Sequence, residues 1–85
     1  PGEDVRRKLD EKLQLLRERI QTCPVASFTY FLPDDKKEGG EYVTAAGHVK
    51  RIKELEEMVD LTDGTEIPIG EIIEIELEEL QRNAK

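Results

Sequence analysis

Tryptophan is absent from this 85-residue chain, and cysteine, serine and histidine occur once each, as Cys23, Ser27 and His48. A lone cysteine closes no internal disulfide, which fits a reducing compartment. No apolar run approaches the roughly 18 residues that a membrane-spanning helix needs, and the N-terminus lacks the basic-then-apolar order of a signal peptide. The expectation is a cytoplasmic protein with no membrane segment. Nucleophilic catalysis is short of parts as well: Cys23 and His48 are the one thiol–imidazole pair available, and Pro24 marks Cys23 as a helix-end residue rather than a nucleophile. With only two Phe and two Tyr, aromatic surface is scarce too.

Charge is plentiful but uneven. Of all residues 39% are charged and 36% hydrophobic, and the net charge is −7. Residues 1–22 carry six basic and five acidic side chains, residues 23–53 five and four, and residues 54–85 two and eleven. An anionic chain loses the counterion-release contribution to nucleic-acid affinity, so general nucleic-acid binding is disfavoured. Eighty-five residues make one domain. A chain of this size buries only about 60% of the surface its unfolded form exposes, so help from oligomerisation is compatible with its size.

Val5, Leu9, Leu13, Leu16 and Ile20 recur at spacings of three and four, which predicts an amphipathic helix over residues 4–22 with Asp4 as N-cap and Pro24 as terminator. Its narrow apolar stripe is short for an independent coiled coil, so docking on the protein's own sheet is expected. From Val25 the period becomes two. Val25–Leu32 puts Ala26, Phe28, Tyr30 and Leu32 on one face, and a second strand runs from Glu41 to Ile52 with a break at Gly47. Met58–Leu61 and Glu66–Ile69 follow, joined through Asp63-Gly64, a favoured hairpin dipeptide, with Pro68 marking an edge or strand end. Gly70–Ile72 is expected to turn, after which Ile73, Ile75 and Leu77 alternate with Glu74, Glu76 and Glu78, the latter forming a solvated face. Residues 25–77 would then form the β unit, and 78–85 a frayed acidic tail.

Between the first two strands lies Pro33-Asp-Asp-Lys-Lys-Glu-Gly-Gly40. Its acids do not alternate around a central Gly as a calcium loop requires, and Lys36 and Lys37 interrupt them. Nor does a Lys-Ser/Thr and a helix follow, as a phosphate loop requires. A solvated hairpin loop is expected, with no metal, cofactor or catalytic set. The chain is expected not to be an enzyme.

A helix followed by five short strands, the second bent and the last two separated by a tiny turn, resembles the Sm-like, SH3-type small barrel. Gly47-His-Val49-Lys-Arg-Ile52 is similar to that family's second-strand pattern, and the resemblance implies buried Ile67, Ile72 and Ile75. The expected fold class is mainly β with an N-terminal α-helix, a five-stranded barrel in the order α-β-β-β-β-β. The RNA-reading residues of that family are not matched: Lys53 and Glu57 stand where Asp and Asn would, and Pro68-Ile69 where Arg-Gly would. A basic patch of Lys50, Arg51 and Lys53, with Lys36 and Lys37 and with Tyr30, Phe31 or Tyr42 to stack on bases, is the alternative route to single strands.

Thr29-Tyr-Phe-x-Pro-Asp-x-Lys-Lys-x-Gly-Gly-x-Tyr-Val-Thr44, followed by Gly47-x-Val-Lys-x-Ile52 and Leu61-Thr-Asp-Gly-x-x-Ile-Pro-Ile69, resembles the YolD-like family of Gram-positive bacteria over about residues 3–76. The resemblance implies a non-catalytic accessory role in DNA-damage tolerance beside a Y-family translesion polymerase. Pro33, Asp34, Lys36, Lys37, Gly39, Gly40 and Tyr42 are the candidate partner-binding residues. A homo-oligomer through the Ile67–Ile69 edge or the helix seam is a further expectation. Longer members carry an aromatic Phe-x-Pro-Phe-like element before the helix. None precedes Asp4, so the chain is expected to be either a fragment or a member lacking it.

Overall fold

The computed structural model describes residues 3–36 and 38–77. The expected tail from residue 78, Glu78 included, lies outside them. Helix α1 (Glu3–Glu18) turns Leu13 and Leu16 into the core and leaves Leu9 half-buried, so the apolar stripe docks on the protein's own sheet. The α-helix is shorter than its sequence pattern predicts. Ile20–Thr22 form a separate 3-10 turn, closed where the Thr22 hydroxyl donates to the Arg19 carbonyl (2.7 Å) and Cys23 N–H to the Ile20 carbonyl (3.1 Å). Pro24 disfavours right-handed helical geometry at Cys23, which takes the left-handed conformation (φ 51°) and reverses the chain. Asp4 is not the cap, because Glu3 is already helical; its carboxylate instead accepts from Arg7 (3.1 Å) one turn on.

Five strands follow: β1 (Val25–Pro33), β2 (Gly40–Lys53), β3 (Met58–Leu61), β4 (Glu66–Pro68) and β5 (Ile72–Leu77). All ladders are antiparallel, and the spatial order is β4-β3-β2-β1-β5. The element order is as expected, but the barrel is not. β4 and β5 are the two outer strands and share no ladder among the described residues, so the sheet is open. Two local features account for this. β4 is only three residues long and Pro68 has no N–H to offer. The outer edge of β5 is met by α1, whose Lys12 ammonium donates to the Ile75 carbonyl (2.8 Å).

Two bulges correct the simple alternation. In β2, Val49 and Ile52 both face the core although three positions apart, and the ladder to β3 shifts register between Val49 and Arg51. Lys50 is the extra residue, whereas Gly47, the expected break, sits in an undisturbed stretch of ladder opposite Ala26. In β5, Ile72 and Ile75 are both buried, so the chain absorbs one residue between them: Tyr30 pairs with Ile72 and Thr29 with Glu74. Ile73, expected inside, is therefore exposed, and β5 begins one residue early, directly after a 3-10 turn at Ile69–Glu71.

The core joins Leu13 and Leu16 to Ala26, Phe28 and Tyr30 of β1, Val49 of β2, Val59 and Leu61 of β3, Ile67 of β4, and Ile72 and Ile75 of β5. Leu32 shares the inward face of β1 but lies beyond the β5 ladder and is 46% exposed. Among the described residues no helix is long and apolar enough to cross a membrane.

Arg17 ties α1 to the turn after β2 by a two-pronged contact with Glu54, Nε to Oε2 at 2.7 Å and Nη2 to Oε1 at 3.2 Å. The hydrogen bonds from Arg17 hold the Glu54 carboxyl below its ordinary value. A carboxylate with a lowered folded-state pKa contributes stability above its unfolded value and loses it as pH falls through the folded one. Because the pair is solvent-exposed, its contribution is at most about 1 kcal/mol. Urea titrations at stepped pH should therefore show Glu54→Gln less stable than the parent at neutral pH, with the gap closing in acid; a constant gap would contradict the assignment.

Candidate functional site

The β1–β5 ladder ends at Tyr30 and β3 first pairs with β2 at Val49, so Phe31–Pro33 and Gly40–Tyr42 continue beyond the sheet as a two-stranded arm. A short closed loop forms its tip. Asp34 N–H donates to the Gly39 carbonyl (3.0 Å), and the Asp34 carboxylate accepts from Lys36 N–H (2.8 Å), a local Asx turn. Gly39 has φ 97°, open to glycine and strained for other residues. Gly40 is required for a different reason: a Cβ there would stand 2.7 Å from the Phe31 ring and 2.8 Å from the Pro33 Cα. The loop residues singled out by the sequence thus divide by role, with Gly39, Gly40 and the Asp34 carboxylate shaping the tip.

Display falls to other side chains. Tyr42 is 63% exposed and packs edge-to-face on Phe31, its direct cross-strand neighbour, with ring centroids 5.4 Å apart. An open concavity of about 510 Å³ lies along the arm, lined by Asp34, Asp35, Glu38 and Glu41 together with Leu32 and Pro33. Lys36 is exposed in the same loop, and Lys37 lies outside the described residues. Among the described residues no group of His, Cys, Asp and Glu is placed to hold a metal ion.

The expected basic patch meets acidic partners. Arg51 Nε lies 3.8 Å from Asp60 Oδ2, Lys53 Nζ lies 3.5 Å from the same oxygen, and Lys53 also lies 3.7 Å from Glu66 Oε2. Lys50, on its bulge, is exposed. Among the described residues the buried Asp60 Oδ1 has no hydrogen-bond partner, and the ion pairs of this carboxylate fall on Oδ2. Of the aromatics proposed to stack on bases, Tyr30 is buried in the core. The acidic partners come from β3 and β4, whose register against β2 is not legible in local sequence.

Cys23 and His48 are brought together, but through the backbone. His48 Nδ1 lies 2.8 Å from the Cys23 carbonyl oxygen, which can only accept, so Nδ1 carries the proton and pins the left-handed residue to β2. Side chains of the expected oligomer contacts are partly used internally: Ile67 is wholly buried, Ile69 packs against the core, and Leu13 and Leu16 of the helix stripe are covered, whereas Val5 is 40% exposed.

Comparison with protein-family models, with curated proteins and with solved structures gives no match. The YolD-like and Sm-like resemblances are corrected accordingly: no family model supports the first, and the open sheet removes the barrel on which the second depended. The role in DNA-damage tolerance that the resemblance implied has no support from these comparisons, nor has a polymerase as partner.

Distinct consequences follow for the two adjacent glycines. Gly39→Ala should cost about 1–2 kcal/mol through its left-handed backbone, and Gly40→Ala about 1–3 kcal/mol through overpacking of the ribbon. Amide exchange is the measurement. In both variants exchange at Asp34 should accelerate while Phe28 stays protected; unchanged exchange at Asp34 would remove the loop-shaping role.

Proposed function

We propose that this domain is a non-catalytic protein-interaction module that offers the arm from Phe31 to Tyr42 to a protein partner. The observation that carries the reading is the exposure of Tyr42 on a ribbon that extends past both flanking ladders. A tyrosine braced by Phe31 supplies a large contact surface with little side-chain entropy to lose, the property that enriches Tyr in interfaces. The glycine-shaped tip beside it fixes the backbone without occupying its outer surface. A cytoplasmic setting belongs to the same proposal and is supported by the single free Cys23.

A nucleic-acid interface is the competing reading. It would draw on Lys36 and Lys50, since Arg51 and Lys53 already face Asp60 and Glu66, and it would work against a net charge of −7. A photo-crosslinking phenylalanine analogue at Tyr42, compared with one at Leu55, which is 97% exposed on another turn, separates the two. In extracts of the source cells, position 42 should give a discrete protein adduct that Leu55 does not. Equal labelling at both positions, or adducts only with nucleic acid that weaken steeply with salt, would overturn the proposal.

A further inference from the structure

Among the described residues the open sheet leaves its two outermost strands and parts of β1 and β2 without a partner on one side, and the two outermost strands are guarded. β4 ends in Pro68, which has no N–H, and β5 is approached by α1 through the Lys12 contact to the Ile75 carbonyl. Among the described residues the first half of β2 has no such protection. β3 pairs with β2 only from Val49 onward, so from Gly40 to Gly47 β2 is bonded on its β1 side alone among the described residues.

The phase of the ladder identifies the backbone groups on that edge. Asp34 N–H donates to the Gly39 carbonyl and Val49 N–H to the Pro24 carbonyl, which bracket the β1–β2 register. Hydrogen-bonded pairs alternate in an antiparallel ladder, so Glu41, Val43, Ala45 and Gly47 bond to β1. The N–H and C=O groups of Tyr42, Thr44 and Ala46 therefore point the other way. His48 confirms the phase, since its carbonyl faces that same side and accepts from Thr62 N–H (2.9 Å). Tyr42, Thr44 and Ala46 are exposed, and Glu41–Gly47 contains neither the proline nor the lysine that commonly blunts an edge.

We infer that this edge accepts an extended basic peptide by strand addition, an inference that rests on the interaction reading above and specifies its mode. Charge complementarity selects the occupant. At one end of the edge Asp34, Asp35, Glu38 and Glu41 line the concavity of the arm, and at the other the turn after β3 carries Asp63. Cationic residues at the two ends of a bound strand meet carboxylates at both, although Lys36 at the tip and Lys50 near the other end offset part of the charge. Half-buried Val43 and Ala45 give alternate apolar side chains of the incoming strand a surface to cover. A second copy of this chain would bring another net charge of −7 to the same edge and is disfavoured.

The test uses the full chain and an eight-residue peptide of alternating valine and threonine with lysine at each end, beside the same peptide ending in glutamate. Amide exchange at Tyr42, Thr44 and Ala46 should slow by about tenfold or more with the lysine peptide, while Val43 and Ala45, already bonded to β1, change little. The glutamate peptide should give no protection. Thr44→Pro removes an edge donor that β1 does not use and should abolish the effect; Glu41→Lys, which leaves the backbone intact, should weaken it. Protection elsewhere, none at all, or prior protection that grows with protein concentration would overturn the inference. If position 42 still crosslinks a protein in that event, the interaction reading stands with another mode of contact; if it does not, both fail.

Discussion

The ladder between β1 and the first half of β2 is the constraint on which the rest depends. Its register, from Val25 opposite His48 to Pro33 opposite Gly40, runs without a shift. It fixes Ala26, Phe28 and Tyr30 toward the core and Ser27, Thr29 and Phe31 away from it, because side chains alternate with a period of two. The outward face is then matched pair by pair, Thr29 to Thr44 by a hydroxyl contact of 3.0 Å and Phe31 to Tyr42 by ring packing. A one-residue slip would exchange the faces, exposing Phe28 and burying threonines. The two bulges lie outside this ladder, and each restores inward facing to an isoleucine that strict alternation would have turned outward.

Helix α1 matters as much for what it covers as for what it buries. Leu13 and Leu16 complete the core, while Lys12 satisfies a carbonyl on the outer strand and Arg17 grips the turn after β2. An edge strand without a cover is a template for pairing. The helix removes that hazard from β5, and chain chemistry removes it from β4. The first half of β2 lies beyond both devices. Among the described residues this stretch has no cover, in a fold that covers or blunts both of its outermost strands.

Much of this was legible in the chain, and what was not shares one cause. The helical stripe, the strand at Val25, the Asp63-Gly64 turn and the element order follow from local periodicity and turn chemistry. Local pattern did not disclose closure. Whether β4 meets β5 depends on Lys12, Pro68 and a three-residue strand acting together across the molecule. The bulges are non-local in the same sense: Ile73 alternates correctly with Ile75 in sequence, yet Tyr30 pairs with Ile72 and displaces it. The acidic neighbours of the basic patch were hidden for the same reason, since Asp60 and Glu66 reach Arg51 and Lys53 only through the sheet register. The candidate loop was located correctly as a hairpin, but the sequence could not separate residues that shape it from residues that present it.

That separation bears on how the arm can work. Gly39 and Gly40 are explained by φ and by close approach, and Asp34 by its turn, so the regularity of the loop motif does not itself argue for a partner. Tyr42 is different, because no buried contact requires an aromatic ring at a site 63% open to solvent. Its ring leans on Phe31 on one side of the ribbon, while its backbone groups point along the free edge in the plane of the sheet. One residue therefore presents two orthogonal surfaces, a ring for side-chain contact and a peptide unit for hydrogen bonding. A partner strand laid along β2 would meet both together, whereas a partner docked on the loop tip would meet neither backbone group.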